Sequence, residues 1–283
     1  MSKNKPIIAL MYDFDKTLSP TNMQEYGFIP NIGMKSDEFW NLSDELSKKE
    51  KMDRVLSYMY LMVRKSKDNH ISIKREAFVK LGENIEFFPG VEDWFSRINE
   101  YGKNIGVIIE HYIISSGMKE IIEGCSIYKQ FKEVFGCEFH YDENGTADWP
   151  KTAVNYTGKT QFLFRINKGV LDLSDDDSLN KYIPNDERRI PFRNMIYLGD
   201  GLTDVPCMKL VKVNGGQSIA VYKPYKKKNV EGLLQDKRVD FIVAADYTEG
   251  SELDRIIKTI IDKMTVINSL VDIHRKQQKL IQQ

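Results

Sequence analysis

The chain has few cysteines, no excess of charge of either sign and no long apolar run. Three cysteines in 283 residues cannot build a paired disulfide framework, so a reducing compartment, the cytoplasm, is the expected location. Lys+Arg and Asp+Glu each number 41, giving a formal net charge of zero. The basic excess of a nucleic-acid binder is missing, and no nucleic-acid partner is expected. No apolar stretch approaches the ~18 residues of a membrane span, so no membrane association is expected either. Residues 1–6 lead into a short apolar stretch that stops at Asp13, too short and too abruptly acidic for a secretory leader.

What is present suits a globular protein: 41% hydrophobic and 29% charged residues, in a chain long enough for one large domain or two smaller ones. Ile7–Tyr12 is apolar without alternation and reads as a strand covered on both faces. Further buried strands are expected over residues 105–115, 195–198, 218–222 and 239–244. An Asn144-Gly145 pair marks a hairpin within residues 138–146. Residues 19–34 are rich in Pro, Gly and Asn and read as a loop. Residues 35–67 turn helical, with Phe39, Leu42 and Leu46, then Val55, Met59 and Met62, at three- and four-residue spacing. A short helix is expected over 71–81, and others over 91–100, to about 122, and over 159–168. Residues 169–192 lose periodicity and read as an exposed insertion. Residues 251–283 read as a long amphipathic helix or helix pair. Strands alternating with helices imply a parallel α/β sheet, whose chemistry lies at the carboxyl ends of the strands.

Three of those ends carry chemistry-bearing residues. The first reads Asp13-Phe-Asp15-Lys-Thr17. Alternate side chains of an extended chain share a face, so Asp13, Asp15 and Thr17 can converge. Two such carboxylates are either solvated loop aspartates or partners of a hard divalent cation. The second ends Ser115-Ser116-Gly117, either a helix N-cap or, with the amides that follow, a phosphate cradle. The third ends Gly199-Asp200-Gly201, with Asp204 opening the next helix. If the first and third strands are neighbours, Asp200 lies beside the first pair, and Asp204 is compatible with capping alone.

Together, and in this order, these features resemble the haloacid dehalogenase superfamily, nearest to its phosphoserine-phosphatase-like branch. Asp13-Phe-Asp-Lys-Thr-Leu18 looks like the first motif, Ser115 the second, Lys159 of Gly158-Lys-Thr-Gln161 the third, and Gly199-Asp-Gly-Leu-Thr-Asp204 the fourth. The resemblance covers residues 6–18 and 88–247. It implies a Rossmann-like parallel sheet core, residues 1–18 and 89–250, with a small helical cap inserted at 19–88; the expected helical extension at 251–283, packed on the core, is not explained by it. It further implies a Mg²⁺-dependent phosphatase of a small phosphomonoester. Asp13 would attack phosphorus to give a phosphoaspartate, and Asp15 would serve as acid and then base. Asp13, the Asp15 carbonyl and Asp200 would hold the metal, with Asp204 and Thr17 in support. Ser115, Ser116 and Lys159 would bind the phosphoryl oxygens. Lys168 is a rival for the lysine role, but it closes its helix where Lys159 opens it. A phosphomutase, or a non-catalytic binding protein on the same fold, is the alternative. The branch places a glutamate nine residues after the nucleophile to face an ammonium. Here that position is Asn22, which puts phosphoserine itself in doubt, although Glu25 is near.

The remaining features read as structural. His111 is expected to be packed and hydrogen-bonded. The three cysteines lack metal-site spacing and are expected as buried thiols. The acidic run 172–177 and the lysines 223 and 226–228 are expected to be solvated. Tyr26, Phe28, Met34, Phe39 and Trp40 are candidates to touch substrate, but most of them are expected to form the core of the cap. The terminal helix can pack on the domain or join two copies, so a monomer or a homodimer is expected.

Overall fold

A computed structural model describes residues 5–281. The leader-free reading of residues 1–4 and the last two positions of the terminal helix lie outside that range. Seven strands form one sheet: β1 Ile7–Tyr12, β2 Ile108–Met118, β3 Glu133–Tyr141, β4 Ala147–Thr152, β5 Met195–Gly199, β6 Gln217–Tyr222 and β7 Phe241–Ala244. Their order is β4-β3-β2-β1-β5-β6-β7. All pairings are parallel except β3 with β4, the hairpin turned through Asn144-Gly145. β1 therefore lies between β2 on one side and β5 on the other. At this reversal of strand order, crossovers depart to opposite sides and leave a crevice. Residues 8–12 are fully buried, as a strand covered on both faces requires.

The helices are α1 Phe28–Asn31, α2 Ser36–Glu50, α3 Arg54–Asp68, α4 Arg75–Leu81, α5 Val91–Asn104, α6 Lys119–Glu123, α7 Thr160–Lys168, α8 Asp176–Asn180, α9 Val205–Val213, α10 Lys228–Gln235 and α11 Glu252–Ile281. Four of them, α1 to α4, fall between β1 and α5. The stretch read as a loop at 19–34 instead contains a 3-10 turn at Met23–Tyr26 and the short α1. Tertiary packing supplies what local periodicity lacks there, since Met23, Phe28 and Ile29 are buried. Phe28 meets Phe39 and Phe78, and Phe78 stacks on Phe139 of β3, joining the helical segment to the sheet. α4 also runs against α6 with no room for side chains. A Cβ at Gly124 would stand 1.8 Å from the Val79 carbonyl oxygen, and one at Gly82 would stand 2.1 Å from that of Ile121.

Of the two arrangements expected at the end, a long helix or a helix pair, the structure has the first: one 30-residue helix, α11. It docks on α5 through Arg97–Asp254 (3.4 Å) and Tyr101 Oη donating to Asp262 (2.7 Å). Residues 169–192 are tied down more firmly than their lack of periodicity suggests. The buried Arg165 donates to the carbonyls of Asp172 (2.7 Å) and Leu173 (3.1 Å) and pairs with Asp176. Lys168 donates to the carbonyls of Leu179 and Lys181, so it closes this segment.

His111 sits at the centre of a buried polar chain. Trp94 Nε1 donates to Tyr12 Oη (2.9 Å), which faces His111 Nδ1 at 3.0 Å, and His111 Nε2 faces Asn99 Oδ1 at 3.1 Å. Asn99 Oδ1 accepts from Nε2–H, which leaves Nδ1 of the neutral ring to accept the Tyr12 proton. Burial pushes this histidine down to about 3. Its folded-state value lies below the unfolded one. Stability is therefore fully present above about pH 6.5 and is lost as pH falls toward 3.

Two outcomes follow. Gly124→Ala forces α4 and α6 apart and lowers stability by about 2–3 kcal/mol in urea denaturation. His111→Gln is less stable at pH 7 by about 1 kcal/mol. It also flattens the loss between pH 6.5 and pH 4 by on the order of 2 kcal/mol relative to the parent, read from melts across that range.

Candidate active site

Pairing of β1 with both β2 and β5 brings their three carboxyl ends together. The cleft there has a volume of about 610 Å³. Its sheet side is lined by Asp13, Asp15, Ser115, Ser116, Asp200 and Thr203. Its other side is lined from the helical segment by Asn22, Glu25, Asp37, Trp40, Asp44, Arg54 and Tyr58. No residue of 169–192 is among the lining residues.

At its floor lies a buried charge cluster. Lys159, with no exposed surface, places Nζ 2.7 Å from Asp204 Oδ1 and 3.2 Å from Asp13 Oδ1. Asp204 Oδ1 also accepts from Tyr197 Oη (2.8 Å), whereas its buried Oδ2 has no protein partner. Gly199 makes room for this carboxylate: a Cβ there would meet Asp204 Cγ at 2.5 Å. Asp13 Oδ1 accepts from the Phe14 amide at 2.8 Å. Asp15 Oδ1 accepts from the Met23 amide at 2.8 Å, which ties the start of the helical segment to the sheet. Ser115 Oγ accepts from the Gly117 amide (3.0 Å), and Tyr58 Oη donates to the Ser116 carbonyl (2.6 Å).

Charge and burial compete here. Burial and then Asp204 push Asp13 up to about 6, against the pull of Lys159 and the Phe14 amide. Burial, then Asp204 and Asp13, push Asp200 up to about 7. Burial and the neighbouring Asp13 hold Asp15 well above the usual carboxylate range. Burial alone would lower Lys159, but Asp13 and Asp204 outweigh it and keep the lysine charged. The carboxylates of Asp13, Asp200 and Asp204 offer oxygens within 4.8 Å of one another. This all-oxygen donor set, with an unpartnered buried oxygen on Asp204, fits a hard divalent cation that would offset the repulsion.

The sequence-derived residues are thus distributed as follows. Asp13, Asp15, Ser115, Ser116 and Asp200 line the cleft, and Lys159 and Asp204 lie buried beneath it. Asp204 stands within the carboxylate group. Thr17 is not on the lining; it is fully buried and its carbonyl accepts from Tyr247 Oη at 2.9 Å. Phe28 and Phe39 are buried in the core, while Trp40 faces the cleft and donates to Glu25 Oε1 (3.2 Å). Asn22 Nδ2 donates to the same oxygen. Tyr58, Tyr197, Asp37, Asp44 and Arg54 escaped the sequence reading. For α2 a signal existed: Ser36, Asp37, Trp40, Ser43 and Asp44 recur at helical spacing and make one polar face. Tyr197 gave none, being one more apolar-looking position of a buried strand.

Lys159→Met leaves Asp13 and Asp204 without their buried cation and lowers stability by about 3–5 kcal/mol in urea denaturation. Adding Asp204→Asn to that variant restores more than half of the loss, which distinguishes stranded charge from lost packing.

A sequence profile described as haloacid dehalogenase-like hydrolase matches residues 10–209. An uncharacterized protein of Borreliella burgdorferi is 30% identical over 282 residues, covering 89% of this chain and 96% of that protein. Among solved structures, the fold is shared with a haloacid dehalogenase family hydrolase, t0658, of Salmonella enterica serovar Typhi. That match has a TM-score of 0.55 and 17% identity over 91% of this chain and 72% of that one. It is also shared with a substrate-bound phosphoserine phosphatase, at a TM-score of 0.56 and 16% identity over 90% of this chain and 99% of that one. With the motif residues assembled at one sheet edge and the profile spanning most of the chain, the protein belongs to the haloacid dehalogenase-like hydrolase family.

Proposed function

We propose that the protein is a Mg²⁺-dependent phosphatase of a small phosphorylated metabolite, working through a phosphoaspartate on Asp13. The observation that carries this reading is the convergence of Asp13, Asp200 and Asp204 beside the buried Lys159 at the floor of a cleft. A binding module has no need to hold like charges together.

Asp13 attacks phosphorus, and the bond to the ester oxygen breaks. The leaving oxygen takes a proton from Asp15, which then accepts one from the water that hydrolyses the acyl phosphate. The Met23 amide occupies Asp15 Oδ1 and orients Oδ2 as the oxygen that carries the proton. Ser115 Oγ, on the cleft lining, binds a phosphoryl oxygen, and Lys159 Nζ, buried 3.2 Å from Asp13 Oδ1, supplies positive charge beneath the phosphoryl group. An anionic nucleophile approaching an anionic phosphate at 4 Å costs about 4 kcal/mol per unit-charge pair at an effective dielectric near 20. Lys159 offsets part of this. Asp13, Asp200 and the Asp15 carbonyl, with Asp204 in support, would hold a divalent cation, which would supply Lewis-acid stabilisation of the phosphoryl charge.

In this reading residues 19–88 act as a cap whose cleft-facing residues select the substrate, and α11, Glu252–Ile281, is a helical extension docked on the core. The three buried free thiols agree with a reducing, cytoplasmic setting.

The test is phosphate release from 4-nitrophenyl phosphate, with Mg²⁺ and with EDTA. Release requires Mg²⁺, and Asp13→Asn reduces it by roughly 10³-fold or more. Release that survives either EDTA or the substitution would sink the mechanism.

A further inference from the structure

The lysines that the sequence reading assigned to a solvated face do not behave alike. Lys223 and Lys226 meet Lys16, from the far side of the first motif, on a separate cavity of about 300 Å³ at the carboxyl end of β6. Lys227 and Lys228 do not line it. Lys16 reaches this side because its backbone takes a left-handed turn, with φ of 60°, directly after Asp15. Val221 and Val230, both buried, form apolar walls. Asp200 is the one carboxylate on the lining, and it and Lys16 also line the catalytic cleft. The two cavities therefore adjoin.

Among the described residues none of these three lysines makes a salt bridge, although lysines elsewhere do, as in Lys212–Asp240 at 3.2 Å and Lys258–Asp254 at 2.8 Å. Burial and the charges of Lys226 and Lys16 lower Lys223 from its ordinary value. Flexible lysines on an open surface spread apart to relieve such repulsion. Three that converge on a walled pocket are stabilised by an anion placed between them.

We propose that Lys16, Lys223 and Lys226 form a subsite for a second anionic group, a carboxylate or phosphate, carried by the substrate whose phosphoryl group lies at Asp13. The proposal rests on the phosphatase reading of the adjoining cleft. It selects a doubly anionic phosphoester over a neutral or amino-bearing one. The shared wall of the two cavities is the reason to place both anions on one molecule.

Binding of non-hydrolysable phosphonates to the Mg²⁺-loaded protein tests this by calorimetry at low salt. The probes are propylphosphonate, 3-aminopropylphosphonate, 4-phosphonobutyrate and 6-phosphonohexanoate. At least one carboxylate-bearing probe should bind about tenfold more tightly than propylphosphonate, and the amine should bind no better than propylphosphonate. The double variant Lys223→Gln, Lys226→Gln should erase that preference; both side chains are solvent-accessible, so the fold is retained. Equal or undetectable binding of all four probes overturns the proposal, as does a preference that survives the double variant. Sulfate that binds through these lysines without competing with phosphonobutyrate would make them a separate effector site and overturn the substrate assignment. A carboxylate preference without any aryl phosphate hydrolysis would fail the phosphatase reading while leaving the anion subsite standing.

Discussion

A single buried ammonium group organises this molecule. Lys159 has no access to solvent, yet it stays charged because Asp204 and Asp13 lie within 2.7 and 3.2 Å. Each partner comes from a different part of the chain. Asp13 follows β1, Asp204 precedes α9, and Lys159 opens α7. None of these charges is tolerable alone in the interior, where an unpaired ion costs several kcal/mol. Together they lock three loops at one edge of the sheet. The carboxylates still exceed the lysine in charge, which leaves the site poised for a cation.

The sheet order sets where this can happen. With β1 between β2 and β5, the ends bearing Asp13, Ser115 and Asp200 become neighbours although more than eighty residues separate each from the next. The helical segment then covers the same edge. Its attachment is made by backbone contact at Gly82 and Gly124, by the Met23 amide on Asp15, and by Tyr58 on the Ser116 carbonyl. Two of these attachments touch the motif residues themselves. A movement of the segment is thus felt directly at Asp15 and at the loop after Ser115.

The cleft and the cavity beside it differ in charge. Glu25, Asp37 and Asp44, with Arg54, stand on the cleft wall formed by the helical segment, while Lys16, Lys223 and Lys226 line the adjoining cavity at β6. Asn22, where a glutamate was expected to face an ammonium, instead donates to Glu25. The position is neutral, but it braces a carboxylate one helical turn away.

Much of this was legible in the chain. Apolar runs before Asp13 and Asp200, and the shorter run 112–114 before Ser115, announce parallel strands with polar tips, because burial on both faces suppresses alternation. The Asn144-Gly145 turn, the helix opening at Lys159 and the long final helix follow from equally local rules. What escaped was decided by packing between distant segments. Residues 19–34 fold into short helical turns only because Met23 and Phe28 find a core to enter. Residues 169–192 are held by Arg165 rather than by any periodicity of their own. Lys16 and Lys223 are ordinary surface residues until the β1–β5–β6 register sets them on one cavity. The sequence by itself determined the parallel sheet, the motif residues and their order, since these depend on periodicity and on turn chemistry that are local. Only the tertiary structure decided which charges are buried together, which face of the helical segment meets the cleft and where lysines gather without a salt bridge, because electrostatic and packing energies depend on distances that only the folded chain defines.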